Sequence, residues 1–172
     1  MDHEHDRANR DYVKIVVDRN WRKLGKEYPL NDYPTAESLW GLPASKGLYS
    51  IENIPFRAMG LSYLDIVSAR VRSDDGRLFF EKVEKDSGHS TVRVILRESS
   101  PQGTADLRRL KGTLLERGCI VEDMAIGLAI DVPPTVGLEG ILAILEAGTK
   151  HWVVEVGKSA RYRGGSDLSP GT

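Results

Sequence analysis

The sequence has almost no cysteine and no excess of either charge. Cys119 is the single cysteine among 172 residues, so an intramolecular disulfide is excluded and a reducing compartment is expected. The 24 basic and 25 acidic residues leave a net charge of −1. This balance gives the whole chain no electrostatic attraction to nucleic acid or to an anionic membrane. These absences argue against a disulfide scaffold and against a nucleic-acid-binding protein.

Long hydrophobic runs are also missing. No stretch approaches the roughly 20 apolar residues that a membrane-spanning helix needs, because Asp131, Glu139 and Glu146 interrupt the most apolar region. The N-terminus does not show the basic start and apolar segment of a secretory signal. We therefore expect a cytoplasmic protein that does not bind a membrane.

The sequence shows no recognisable catalytic motif. It contains no G-x-S-x-G nucleophile elbow, and Cys119 has no second cysteine at the spacing of a zinc site. We expect neither a metal nor a cofactor, and we expect a protein that is not an enzyme.

The first half of the chain contains a series of short strand-like runs separated by turn residues. The stretch Ser73-Asp74-Asp75-Gly76 predicts a hairpin, because Asp and Gly tolerate the positive φ of tight hairpin loops. Several short strands joined by such turns are typical of a small, strongly bent sheet or half-barrel. The predicted strands are 12–17, 37–42, 48–51, 65–72 and 77–85.

The second half has a clearer pattern. From Thr91 to Val156 the hydrophobic period changes in the order strand, helix, strand, strand, helix, strand, which predicts a ferredoxin-like βαββαβ sheet with both helices on one face. Gly118 is expected to end the first helix, and Thr135 is expected to cap the second. The fold class is therefore α+β. The predicted organisation is a disordered tail at 1–10, a β-rich half-barrel at 11–90, the ferredoxin-like part at 91–157, and a C-terminal tail at 158–172.

Four blocks of sequence are distinctive, and together they resemble the signature of an uncharacterised bacterial domain-of-unknown-function family. The resemblance covers most of the chain, and this sequence has Leu64 where the family pattern has a glycine. Some relatives are peptide-binding accessory proteins encoded with enzymes that build ribosomally made peptide natural products, so the resemblance implies a similar candidate role. The blocks are Glu37-Ser38-Leu39-Trp40, Asn53-Ile54-Pro55-Phe56, Ser62-Tyr63-Leu64-Asp65-Ile66-Val67 and Ser87-Gly88-His89-Ser90-Thr91-Val92-Arg93.

His89 is the most suggestive single residue, because it lies in a Ser-Gly-His-Ser-Thr turn just before a strand. Asp65, on a predicted neighbouring strand, could orient its imidazole, and Ser, His and Asp together have the composition of a hydrolase triad. Hydroxyl residues around a glycine are also typical of turns. We favour a structural histidine, and keep a small enzyme that uses His89 with Asp65 as the alternative.

Three further features are candidates for binding. Trp40 and Tyr63 either fill a barrel core or line a groove for a partner. Arg93 and Asp131 are predicted on the helix-free face of the rear sheet, in a shallow trough that either receives the front half, with the two residues paired, or holds a ligand.

The closing strand 152–156 is predicted at a sheet edge. It is apolar and β-branched and carries one carboxylate, Glu155, so its unpaired backbone groups are open to another strand. The alternative is that residues 158–163 cover it.

These features predict a protein that binds a peptide or protein partner, by strand addition at 152–156 or in a groove between the two halves. A homodimer through the same strand and an immunity or antitoxin protein remain alternatives. The candidate peptide-binding residues are Trp40, Tyr63, His89, Arg93, Trp152 and Val154.

Overall fold

The computed structural model describes residues 11–18, 36–148 and 150–159. The predicted tail at 1–10 and most of the one at 158–172 lie outside these residues. The described chain is mixed α+β, with a closed five-stranded barrel, a separate four-stranded sheet and two helices. The elements are β1 (Val13–Asp18), β2 (Ala36–Ser45), β3 (Leu48–Ile51), β4 (Ile66–Val71), β5 (Leu78–Lys85), β6 (Ser90–Leu96), α1 (Pro101–Glu116), β7 (Ile120–Met124), β8 (Gly127–Val132), α2 (Leu138–Glu146) and β9 (Trp152–Lys158).

The first sheet runs in the order β1-β2-β3-β4-β5 and is closed, which corrects the predicted half-barrel. Closure comes from a short parallel pairing of β1 with β5, in which Ile15 lies opposite Leu78. The other pairs are antiparallel. Because the inward side chains of every strand meet inside a closed barrel, they form their own apolar core. Its fully buried members include Ile15, Leu39, Ile51 and Val67.

The second sheet has the order β7-β8-β6-β9, and every neighbouring pair is antiparallel. The strands β7 and β9 are therefore its two edges. Helix α1 begins after Ser100, whose side chain accepts a hydrogen bond from the N–H of Gly103, and Pro101 occupies the first turn. Both helices contribute to the core of this sheet through buried residues such as Leu114 and Leu145.

Two predicted boundaries are wrong. Thr135 does not cap α2, because the Val136 N–H bonds to the Pro133 carbonyl and closes a turn around Thr135; Gly137 is at the N-cap instead. Lys158, assigned to the C-terminal tail, is the last residue of β9 and is buried. No helix in the described part of the chain is long and apolar enough to cross a membrane.

Candidate functional site

Residues 53–65, which connect β3 to β4, lie against the helix-free face of the second sheet. We call this contact the junction. The Gly60 N–H donates to the carbonyl of Gly157 on β9 at 2.7 Å. The Thr91 hydroxyl on β6 donates to the Leu61 carbonyl at 3.0 Å and lies 2.9 Å from the Ser62 hydroxyl. The junction thus joins the barrel to the sheet through polar contacts.

Arg93 fills the trough that the sequence predicted on this face. Its side chain is fully buried, and it donates to the carbonyls of Pro55 and Ala58 at 3.1 and 2.6 Å. Its ion-pair partner is Glu155 of β9, 2.8 Å away, rather than Asp131. The guanidinium also packs on Gly157, where an added Cβ would lie 2.7 Å from Nη1. Arg93 is therefore occupied in holding the junction, and its side chain is not open to a partner.

Glu37 from the first motif block anchors the same connection. Its carboxylate accepts hydrogen bonds from the backbone N–H groups of Phe56, Arg57 and Ala58, at 3.0, 3.1 and 2.8 Å. One carboxylate thereby satisfies three successive donors that a tight connection would otherwise leave without partners. The place of Glu37 in the first motif block is therefore explained by its structural role.

Asp65 is fully buried and does not orient His89, which corrects the predicted pair. Its carboxylate accepts from the ammonium of Lys158 at 2.7 and 3.0 Å, from the N–H of Ser62 at 2.8 Å, and from the N–H and hydroxyl of Ser87 at 2.9 Å. Burying a carboxylate is costly unless hydrogen bonds and an opposite charge compensate it. Asp65 is therefore a structural anchor between β4 and β9.

The partner of His89 is Asp131 at the end of β8. The imidazole Nδ1 lies 2.9 Å from both carboxylate oxygens, and the Tyr63 ring contacts the imidazole edge to face at 5.8 Å. Asp131 is fully buried, and this burial raises the pKa of its carboxyl from 3.8 to about 6, although His89 opposes the rise. A carboxylate that fixes one ring nitrogen sets the tautomer and the direction of the other.

His89 also lines a partly open pocket of about 270 Å³. No described residue bonds its second ring nitrogen, Nε2. Among described residues that are not exposed, Ser68 Oγ is the one buried side-chain polar atom without a partner. Since Nε2 has no partner and is not such an atom, it is not buried and reaches solvent. The pocket is lined by Leu64, Ile66, Lys85, Asp86, Ser87 and His89.

No Ser–His–Asp triad forms at this pocket. The Ser87 hydroxyl contacts the Tyr63 carbonyl and Asp65, rather than the imidazole. Cys119 is buried, and burial raises the pKa of its thiol to about 11, so it is not a reactive nucleophile either. Within the described residues no group of three metal-ligating side chains comes together.

The remaining candidate residues lie in two other places. Trp40 is on the barrel strand β2, where it packs edge to face with Tyr12 at 6.4 Å and beneath the Lys14 ammonium at 5.0 Å. Trp152 is buried in the core of the second sheet and donates from Nε1 to the Leu145 carbonyl at 2.9 Å. Val154 packs partly against the same core. Tyr63 and His89 contact one another, and of the candidates only His89 lines the pocket.

A closed barrel joined through a polar junction to an open antiparallel sheet defines the class of protein. The chain belongs to the DUF4265 family, a domain of unknown function whose family model matches residues 37–156. This confirms the expected membership of a domain-of-unknown-function family. The fold is similar to that of a solved hypothetical protein from Neisseria gonorrhoeae, with a TM-score of 0.64 and 21% identity, covering 85% of this chain and 94% of that one. At this identity the likeness shows the fold alone. No curated protein matches the chain.

Sequence reasoning misplaced two residues of this region and missed a third. Asp131 was expected beside Arg93, whereas it contacts His89. In the β6–β8 register it lies opposite Thr91, which is two residues after His89. Lys158 was placed in a tail, although it is the last residue of β9. Lys85 was the last residue of a predicted strand and carried no signal of a pocket.

Proposed function

We propose that this protein is a non-enzymatic binding protein that captures an extended peptide or protein segment by strand addition at the outer edge of β9. The observation that carries the proposal is the direction of the main-chain groups of Trp152 and Val154. Both side chains are turned inward, but strand addition uses the backbone of the edge strand. This gives two of the predicted peptide-binding residues a role that does not depend on side-chain exposure.

The direction follows from the alternation of hydrogen bonds in an antiparallel pair. The Leu96 N–H donates to Ile126, toward β8, and the Arg97 N–H donates to His151, toward β9. Alternation then turns Ile95 toward β9, where Val153 lies opposite. Val153 therefore bonds to β6, and its neighbours Trp152 and Val154 direct their N–H and C=O groups away from the sheet. Between 152 and 156, no backbone partner beyond β6 occurs within the described residues.

The side chains on β9 suit a partner strand. Val153 and Val156 are 43% and 39% exposed, and the single carboxylate, Glu155, is engaged by Arg93. Natural edges without a partner are commonly protected by charge, proline or a bulge. Here the bulge in the β6–β9 pairing lies between Thr91 and Val92, opposite the last residues of β9. It therefore leaves most of the β9 edge unprotected.

The finer parts of the proposal have separate support. The strand order β7-β8-β6-β9, with a helix in each long connection, favours a ferredoxin-like arrangement of the second sheet. The family resemblance favours a precursor peptide of ribosomal natural-product biosynthesis as the partner, and the single buried cysteine favours a cytoplasmic location. An immunity or antitoxin protein would need the same kind of rigid surface, and a homodimer would use the same edge.

The test is isothermal titration of peptides encoded beside the gene into the protein and into a Val154→Pro variant. Proline tolerates an edge position whose N–H points outward, but it removes the donor and obstructs an incoming strand. We expect affinity to fall by about tenfold or more. Val121→Pro is the matched control, because Val121 lies on the opposite edge strand and also packs partly against the core of the second sheet.

Each outcome separates the alternatives. An equal loss of affinity in both proline variants would contradict strand addition at β9. Light scattering over a range of protein concentrations detects the homodimer, which would dissociate in Val154→Pro and persist in Val121→Pro. Absence of binding to every encoded peptide, together with a monomer at all concentrations, would refute the proposed function.

A further inference from the structure

The pocket beside His89 is not used by strand addition at β9. We propose that it binds a carboxylate carried on a short aliphatic group. The inference is independent of the proposed function, because it rests on the side chains that line the pocket and not on a sheet edge.

One ring nitrogen of His89 is held by the protein, and the other is open to a ligand. Asp131 holds Nδ1 at 2.9 Å from both of its carboxylate oxygens, and the Tyr63 ring supports the imidazole edge to face. The accessible Nε2 is then fixed in direction. When Nε2 carries a proton, it donates a hydrogen bond to an anion on the open side, while Nδ1 faces Asp131.

Lys85 supplies a positive group beside His89. It lies at the end of β5 on the wall of the pocket, and no described residue forms an ion pair with it. Asp86 also lines the pocket, but its carboxylate is engaged by the Lys158 ammonium at 3.0 Å and by the Gly88 N–H at 2.6 Å. Two other carboxylates lie nearby: Asp65 is held by the same lysine, and Asp131 is held by His89. Lys85 is thus a cation on the pocket wall without a carboxylate partner among the described residues.

Leu64 and Ile66 form the apolar wall. Leu64 is the one non-glycine residue with positive φ in the described chain, at +62°, and its side chain is 38% exposed. A left-handed backbone costs a leucine roughly 1–2 kcal/mol, and such strain is concentrated at ligand-binding sites. A strained aliphatic residue at the rim, beside a lysine and a histidine, points to a ligand with an aliphatic end and an acidic end.

Two sources could provide this chemistry, a free short-chain acid or the C-terminus of a peptide that ends in an aliphatic residue. The probes are therefore isovalerate and N-acetyl-glycyl-leucine, each compared with its neutral amide. Binding is followed in the full chain by NMR, through the imidazole resonances of His89. Because the probes are small, we expect dissociation constants on the order of millimolar.

The expected result is a saturable shift of the His89 resonances, with each amide binding about tenfold more weakly or not at all. His89→Gln and Lys85→Gln should each weaken the binding of the active probe by about fivefold or more, followed for His89→Gln through the backbone amides of residues 85–89. The matched controls are His151→Gln, a histidine paired with Asp106, and Lys82→Gln on the same strand as Lys85; neither lines the pocket, and both should bind as the parent does.

Preference for the dipeptide identifies a peptide C-terminus, and equal or better binding of isovalerate identifies a free acid; either supports the inference. No saturable shift with either probe overturns it, as does equal binding of acids and amides. Lys85 is exposed, so Lys85→Gln should fold normally even if His89→Gln does not. Unchanged binding in Lys85→Gln would by itself refute the assigned role of this cation.

Discussion

Leu64 has an unfavourable backbone conformation and lies at the rim of the pocket. Its N–H bonds to the Ile51 carbonyl at 2.7 Å, which fixes the connection just before β4 and holds the residue at a φ of +62°. Glycine adopts this conformation without steric cost. The resemblance-based expectation of a glycine at this position is therefore explained by the backbone.

We predict that Leu64→Gly is more stable than Leu64→Ala by about 1 kcal/mol, because both lose the side chain but alanine retains the strain of a Cβ at positive φ. Urea denaturation of both variants measures the difference. The pair Val71→Gly and Val71→Ala, at an exposed position of β4 without positive φ, should show the opposite order, since glycine is ordinarily the less stable in a strand. If the alanine variant is the more stable one at both positions, Leu64 is not strained.

Asp131 makes the stability of the fold depend on pH. Burial raises the pKa of its carboxyl from 3.8 to about 6, so the folded state favours the protonated form. The stability that this group contributes is complete below pH 3.8 and is lost as the pH rises through about 6. At about 1.4 kcal/mol for each tenfold change in proton affinity, the loss is on the order of 3 kcal/mol.

Asp131→Asn cannot ionise and can still accept a hydrogen bond from His89. Its stability relative to the parent should therefore rise by up to about 3 kcal/mol between about pH 4 and pH 7, measured by urea denaturation across this range. Asp75→Asn is the opposing control. The backbone N–H of Arg77 lowers the pKa of the Asp75 carboxyl. The free energy of unfolding of the parent should therefore increase relative to that of this variant as the pH rises. A pH-independent difference for Asp131→Asn would contradict the burial effect.

At the scale of elements, local patterns were predicted well and pairings between distant strands were not. The bounds of β3 agree with the predicted 48–51, and β5 differs by one residue, because turn residues and alternation define short strands locally. The parallel contact of β1 with β5 closes the barrel between residues more than sixty positions apart. No turn or period encodes such a pairing.

The candidate site was predicted only in part for the same reason. His89 was identified from its motif, but its partner depends on the register of β8 against β6, and the sequence pointed to Asp65 instead. The bulge between Thr91 and Val92 similarly shifts the end of β9 and brings Lys158 inward. One shifted residue moves a side chain to the other face of a strand.

At the scale of the whole molecule, buried charges join two cores that are otherwise separate. The barrel and the second sheet have distinct apolar clusters. Between them lie the Lys158–Asp65 pair, with side-chain exposures of 4% and 0%, and Arg93, which is fully buried. Opening the junction would separate Lys158 from Asp65. It would also remove the two carbonyls, of Pro55 and Ala58, that Arg93 binds across the junction. The two cores should therefore unfold together.

Native-state hydrogen exchange tests this coupling. The amides of Leu39 in the barrel and of Ile130 in the second sheet should exchange through one global opening, with the same free energy and the same dependence on urea. Lys158→Met should lower both free energies by about 3–5 kcal/mol, since Asp65 stays buried without its counter-ion. Lys82→Met, at a surface pair, should change them by less than about 0.5 kcal/mol. If barrel amides stay protected in urea that exposes the sheet, the junction does not couple the two cores, and the buried ions act on one core alone.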